Sequence, residues 1–146
     1  MGRILALDYG ARRTGIAVTD PSRIIAGGLT TVKSAELIPY LAGYFASEEV
    51  DLVIIGRPTQ MSGAPSPNQA NIQRFMKQFA RQFPHVPVQS YDERFTSVLA
   101  HQTILQSGIG KKARQNKSLV DEISATIILQ SYLESLRKQK SAENKI

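Results

Sequence analysis

The chain contains no cysteine and only two histidines in 146 residues. A disulfide framework and a thiolate-held metal are therefore excluded, and a reducing compartment removes nothing the fold needs. His85 and His101 lack ligand-like spacing and read as bystanders. Long apolar runs are missing too. None approaches the roughly 18 residues of a membrane span, and the opening MGRILALDYG enters a strand pattern without a signal-peptide h-region. These features predict a cytoplasmic protein without a membrane partner. Internal repeats and low-complexity segments are also absent. Acidic residues are in the minority, 12 against 18 Lys plus Arg, for a formal net charge of +6. That balance favours polyanionic partners through counterion release.

What remains is an ordinary globular composition, 42% hydrophobic over 146 residues, long enough for a single core. The spacing predicts one domain over residues 1–138 and a polar tail over 139–146. The organising stretch is residues 3–20, RILALDYGARRTGIAVTD. Two short apolar runs flank a glycine-bearing turn, the pattern of a β-hairpin. Asp8 stands where the first run ends. A carboxylate there is held on rigid backbone and faces the crevice at the strand ends, where open α/β sheets bind ligands; alternatively it simply begins a turn.

Residues 24–32 predict a third strand, with Gly27 and Gly28 marking a bulge or a close backbone approach. From Ser34, read as an N-cap, Leu37, Leu41, Tyr44 and Phe45 recur at helical spacing, and Pro39 can delay the helix start. Residues 50–56, VDLVIIG, form the near-continuous apolar run of a central parallel strand. Residues 57–67, with three prolines, predict a loop. Residues 68–83 predict a helix with Ile72, Phe75, Met76, Phe79 and Phe83 on one stripe, which favours core packing of these aromatics over base stacking. Residues 86–91 predict a fifth strand that delivers Asp92, Glu93 and Arg94. Thr96 or Ser97 is the expected cap of a following helix. Residues 107–117 form a basic, glycine-flanked loop, and residues 118–137 a long final helix with Asp121 near its start, followed by frayed polar residues. The predicted fold class is α/β: a central five-stranded mixed sheet, order 3-2-1-4-5, with helices on both faces.

In that topology Asp8, Glu93 and Asp121 converge. Ionised carboxylates crowded in a cleft repel one another unless a cation is present, and such clusters bind hard ions such as Mg²⁺ or Mn²⁺. Ions so held support in-line displacement at a phosphodiester. Asp92 and Glu93 are neighbours, so on a regular strand only one faces the cluster; Glu93 is the expected ligand and Asp92 the fallback. Glu122, one helical step from Asp121, is turned about 100° away.

Four blocks of residues in this order resemble the YqgF (RuvX) family of pre-16S rRNA nucleases and Holliday junction resolvase-like proteins, within the RNase H-like superfamily. They are Asp8, Tyr9 and Gly10 with Arg12, Arg13 and residues 15–20; Ile55, Gly56, Pro58 and Gly63; Asp92, Glu93, Arg94, Thr96 and Ser97; and Val120 and Asp121 leading into residues 127–133. The resemblance implies an RNase H-like fold, a divalent-metal nuclease activity, a role in maturing the 5′ end of 16S rRNA, and a catalytic and metal-binding set of Asp8, Glu93 and Asp121. At Arg57 many relatives are expected to be apolar, so no role is assigned to it.

Arg12 and Arg13 beside Asp8 are either solvated turn residues or phosphate contacts, and Arg94 is either a partner of the carboxylates or a substrate contact. Lys111, Lys112, Arg114 and Lys117 are a solvated run or a source of salt-sensitive, sequence-independent affinity for nucleic acid. Three rivals stand beside the rRNA nuclease. An ATPase of the actin and sugar-kinase type needs two such domains, more than 146 residues supply. A junction endonuclease acting on branched DNA requires two symmetric cuts and usually a dimer, whereas this sequence predicts a monomer or weak homodimer. A non-catalytic RNA-binding assembly factor keeps the fold without the turnover.

Overall fold

The first two apolar runs pair as an antiparallel hairpin in a computed structural model of the chain, which describes residues 2–57, 69–92 and 117–143. β1 (Arg3–Tyr9) and β2 (Arg13–Thr19) align Leu5 with Val18, Leu7 with Ile16 and Asp8 with Gly15. β3 (Ala26–Lys33) continues the meander antiparallel to β2, and the pairing shifts by one residue after Ile16 opposite Thr30, so that Ala17 faces Gly28. The break leaves Leu29 as the extra residue beside Gly28, next to the glycines where the sequence predicts a bulge or a close backbone approach. β4 (Val50–Arg57) lies parallel to β1, and β5 (Val88–Asp92) parallel to β4. The sheet order is β3-β2-β1-β4-β5, with β1 and β4 adjacent at the centre as the sequence predicts.

Alternation along the strands splits the core into two layers. Leu5, Leu7, Ile16, Val53 and Ile55 face α1 (Leu37–Ser47) and α2 (Gln69–Gln82), packing with Leu37, Leu41, Ile72, Phe75 and Phe79. Ile4, Ala6, Ala17 and Ile54 face α3 (Lys117–Glu143), which contributes Ala125, Ile128, Leu129 and Leu133. Helices therefore cover both faces. The phenylalanine stripe of α2 is core, as expected: Phe79 is fully buried, and Phe83 meets Phe45 edge-on at 5.0 Å between ring centroids.

Several local expectations are corrected. Ser34 does not cap α1. A 3-10 turn over Ser34–Glu36 precedes the helix, and no side chain caps it. The Ser34 hydroxyl instead donates to the Gly10 carbonyl at 2.6 Å and lies 2.8 Å from the hydroxyl of the buried Thr14. It ties the β1–β2 turn to the end of β3. Ser34→Ala strands the Thr14 hydroxyl, so we expect a loss of about 1–2 kcal/mol in a urea titration; an unchanged midpoint would remove Ser34 from the support of that turn. The third strand starts at Ala26 rather than at residue 24 because Asp20 captures the backbone N–H groups of Ile24 and Ile25, each at 2.8 Å. With the Ile25 bond as the chief cause, these contacts hold the Asp20 carboxyl below its ordinary pKa.

The final helix begins at Lys117, which therefore belongs to the helix and not to the preceding loop, and it runs to Glu143 instead of ending at residue 137. Polar residues alone do not stop a helix. The stretch beyond residue 137 holds Lys, Gln, Ala and Glu, good helix formers, with no Gly or Pro to end it. The expected loop after Arg57, the helix after Thr96 or Ser97 and the basic run up to residue 116 lie outside the described residues. Among the described residues no helix is long and apolar enough to cross a membrane.

Candidate active site

Asp8 reaches its position through strand parity. Ile4 and Ala6 belong to the layer under α3, whereas Leu5, Leu7 and Tyr9 belong to the opposite layer. Asp8 is therefore the next residue of β1 on the α3 face. Tyr9 turns the other way and stacks on Phe75 with centroids 4.8 Å apart.

Opposite Asp8 in the hairpin register is Gly15. It has no side chain, and the space a Cβ would fill is occupied by the backbone carbonyl of Asp121. The α3 backbone thus rests directly on β2. This contact is what brings a residue 113 positions downstream of Asp8 into the same site.

The two carboxylates feel each other. Asp8 retains some solvent contact, yet its carboxyl is largely enclosed by protein. Burial first, and the neighbouring Asp121 charge second, raise its pKa from 3.8 to about 7. Placing two like charges together in a desolvated site is costly, and groups perturbed in this way concentrate where chemistry is done. Glu122, beside Asp121 in sequence, packs its side chain over Gly28 of β3. Asp121 is accordingly the α3 carboxylate that pairs with Asp8.

Arg13 completes the described part of the site. Its Nε donates to Asp121 Oδ2 at 3.1 Å, with both side chains partly exposed, 35% and 25%. The turn that carries it is tightly held. Gly10 N–H donates to the Arg13 carbonyl at 2.9 Å, Ser34 N–H donates to the Arg12 carbonyl at 2.9 Å, and a Cβ on Gly10 would meet the Arg13 carbonyl. Arg12 itself is exposed at the tip.

Of the residues expected in the site, Asp8, Asp121 and Arg13 are brought together, with Arg12 adjacent. Asp92 ends β5, and only its backbone is described. Glu93, Arg94, Lys111, Lys112 and Arg114 lie outside the described residues, and Lys117 is described only as the first backbone residue of α3. Residues Gln89 and Tyr91 of β5 face α3: Gln89 donates to the Tyr132 hydroxyl at 3.0 Å, and the Tyr91 hydroxyl lies 2.7 Å from that of Ser131. Sequence reasoning missed the seat that Gly15 provides. The available signal was a glycine inside a strand, which often marks a close backbone approach.

Comparison with known proteins agrees with this architecture. A family model described as Holliday junction resolvase, RuvX, matches residues 2–135. A protein of Bacteroides thetaiotaomicron named "Putative pre-16S rRNA nuclease" is 58% identical over 137 residues, covering 94% of this chain and 99% of its own. One of the same name from Christiangramia forsetii is 53% identical over 133 residues, with 91% and 98% covered. Among solved structures, Fowlpox virus resolvase in complex with Holliday junction DNA matches with a TM-score of 0.54 at 20% identity, covering 92% of this chain and 98% of its own. T. thermophilus RuvC with a Holliday junction substrate matches with a TM-score of 0.51 at 13% identity, covering 92% and 97%. These two likenesses establish the shared RNase H-like fold. With the family model and the curated relatives each spanning nearly the whole of it, the chain belongs to the RuvX (YqgF) family.

Proposed function

We propose that this protein is a metal-dependent nuclease that hydrolyses phosphodiester bonds and acts in the cytoplasm on the 5′ end of precursor 16S rRNA. The observation that carries this is the Asp8–Asp121 pair, two carboxylates held by strand parity and by the Gly15 seat, with the Asp8 pKa raised to about 7. The closely similar relatives bearing the rRNA-nuclease name support the substrate.

The donor set suits a hard divalent ion. Oxygen ligands of net negative charge, one of them partly desolvated, are what Mg²⁺ and Mn²⁺ prefer. Asp8 and Asp121 would hold it, with a third carboxylate from the end of β5. Glu93 is our choice there and Asp92 the alternative, because neighbours on a regular strand point to opposite faces and only one of the two can meet the ion. When bound, the ion supplies positive charge at the scissile phosphate and eases deprotonation of the attacking water.

The remaining work falls to the chain. Water adds to phosphorus, the bond to the leaving sugar oxygen breaks, and that oxygen takes up a proton. Arg13 fixes the Asp121 carboxylate and stands close enough to the carboxylates to meet a phosphate, while Arg12 and Arg94 add cationic contacts. Lys111, Lys112, Arg114 and Lys117 contribute salt-sensitive affinity without reading sequence. The unit is a monomer or weak homodimer.

A second substrate, the four-way DNA junction, is favoured by the description of the matching family model. The two are separated by offering the purified protein a 16S precursor 5′ leader RNA and a four-way DNA junction side by side with Mg²⁺ or Mn²⁺. We expect cleavage of the leader at the higher kcat/KM. Cleavage of the junction alone would move the assignment to recombination.

A further inference from the structure

Arg13 and Lys33 stand directly opposite each other in the β2–β3 register. Such residues project on the same face with Cβ atoms about 4.5–5.5 Å apart, and like charges so placed repel. Arg13 is answered by Asp121. Lys33 is exposed, and among the described residues the ion pairs are Arg3–Glu48, Arg13–Asp121 and Arg23–Asp51, so that neither Lys33 nor Arg12 takes part in one.

All three cations line one groove of about 570 Å³, whose apolar side is formed by Ala11, Val32 and Ala35. No acidic side chain lines it among the described residues. Arg13 lines this groove and also pairs with Asp121, so one side chain joins the groove to the carboxylate site. A repelling cation pair persists most readily where an anion is meant to lie between or beside the charges, and small apolar side chains leave room for a sugar.

We propose that this groove carries the phosphodiester backbone of single-stranded nucleic acid away from the scissile bond, with Lys33 and Arg12 holding a phosphate that is not cleaved. The identity of the ligand rests on the phosphodiesterase function assigned above. Lys33 is then a binding residue whose loss weakens substrate capture without touching the carboxylates.

The test uses the whole 146-residue chain carrying Asp8→Asn, which is expected to bind without cutting. Fluorescence anisotropy follows a labelled single-stranded RNA of the 16S precursor leader, and a DNA of the same sequence, from low to physiological salt. Adding Lys33→Ala is expected to weaken binding of both by about three- to tenfold and to lower the slope of log K against log salt by about 0.7, one phosphate contact on a single strand. Lys33→Arg should restore both values. Lys77→Ala, an exposed cation on α2 across the sheet, should change neither. In the active chain Lys33→Ala should raise KM and leave kcat in place.

An unchanged slope in Lys33→Ala, or an equal loss in Lys77→Ala, would overturn the groove. A melting curve checks that Lys33→Ala is folded, with Lys33→Gln as the second variant. Wild type that binds RNA through Lys33 but never cuts would leave the groove standing and remove the nuclease. Wild type that cuts normally with Lys33→Ala unchanged in binding would do the reverse.

Discussion

Replacing Asp8 by Asn should make the protein more stable at pH 8 in the presence of a chelator, although it removes a residue of the proposed active site. A carboxyl whose native pKa lies above its unfolded value holds its proton more tightly in the folded state. From about pH 4 to about pH 7 the native protein keeps a proton that the unfolded chain has released, so stability falls as pH rises and the whole penalty is present above pH 7. The gap between 3.8 and about 7 corresponds to a ceiling of about 4 kcal/mol at about 1.36 kcal/mol per unit. Relaxation around a partly solvated carboxyl brings the expected gain nearer to about 2 kcal/mol.

Asn keeps the volume and removes the charge. Urea titrations of both proteins should therefore agree below about pH 3.8, diverge as the pH rises, and differ fully by pH 8. Adding Mg²⁺ should raise the stability of wild type and leave Asp8→Asn where it was, since an ion that binds only the native site stabilises it by mass action. Parallel pH profiles for the two proteins would remove the enclosed, charge-coupled Asp8 from the account.

The second large effect is expected at Gly15. Gly15→Ala places a Cβ where the Asp121 carbonyl, its carbon and the Glu122 nitrogen lie. These are backbone atoms and cannot swing aside as a flexible side chain would, so α3 must lift from the sheet. That lift loosens Ala125, Ile128 and Leu129 from Ala6 and Ala17. We expect a loss of about 3 kcal/mol or more, at the upper end of overpacking penalties. Moving Asp121 away also relieves Asp8 of a neighbouring charge, so the fall in stability between pH 4 and pH 7 should flatten in this variant. General destabilisation would not change that pH slope.

Gly43→Ala supplies the contrast. It lies exposed on α1 with nothing within 4 Å of the added atom, and replacing a helical glycine by alanine should stabilise by about 0.5–1 kcal/mol. Equal stability of Gly15→Ala and wild type, with an unaltered pH profile, would mean that the close approach of α3 to β2 is not what sets the site.

The strand order and the place of Asp8 were legible because they follow from patterns short enough to read: alternation within β1, a continuous apolar run for β4, and glycines at the turn and the bulge. The role of Ser34 and the start of β3 were misread for one shared reason. Two side chains satisfy backbone groups that local propensity does not identify, Ser34 binding Gly10 across 24 positions and Asp20 capturing the two residues expected to start β3. Gly15 was visible as a glycine in a strand, but its function depends on which helix crosses it, and that is decided only when the sheet closes under α3. The opposition of Arg13 and Lys33 is likewise a matter of register, which the bulge after Ile16 shifts by one residue.

One measurement bears most directly on the central claim that Asp8 and Asp121 form a metal-dependent phosphodiesterase site. Wild type and Asp8→Asn, purified in parallel, are incubated with the 16S precursor leader RNA in Mg²⁺, Mn²⁺ or EDTA, and RNA binding is followed alongside cleavage. The expected result is cleavage by wild type with either metal, none in EDTA, a loss of at least about a hundredfold in Asp8→Asn, and RNA affinity retained by the mutant. Cleavage that survives in Asp8→Asn or in EDTA would contradict the claim, and so would RNA binding by both proteins with no cleavage of RNA or junction by either.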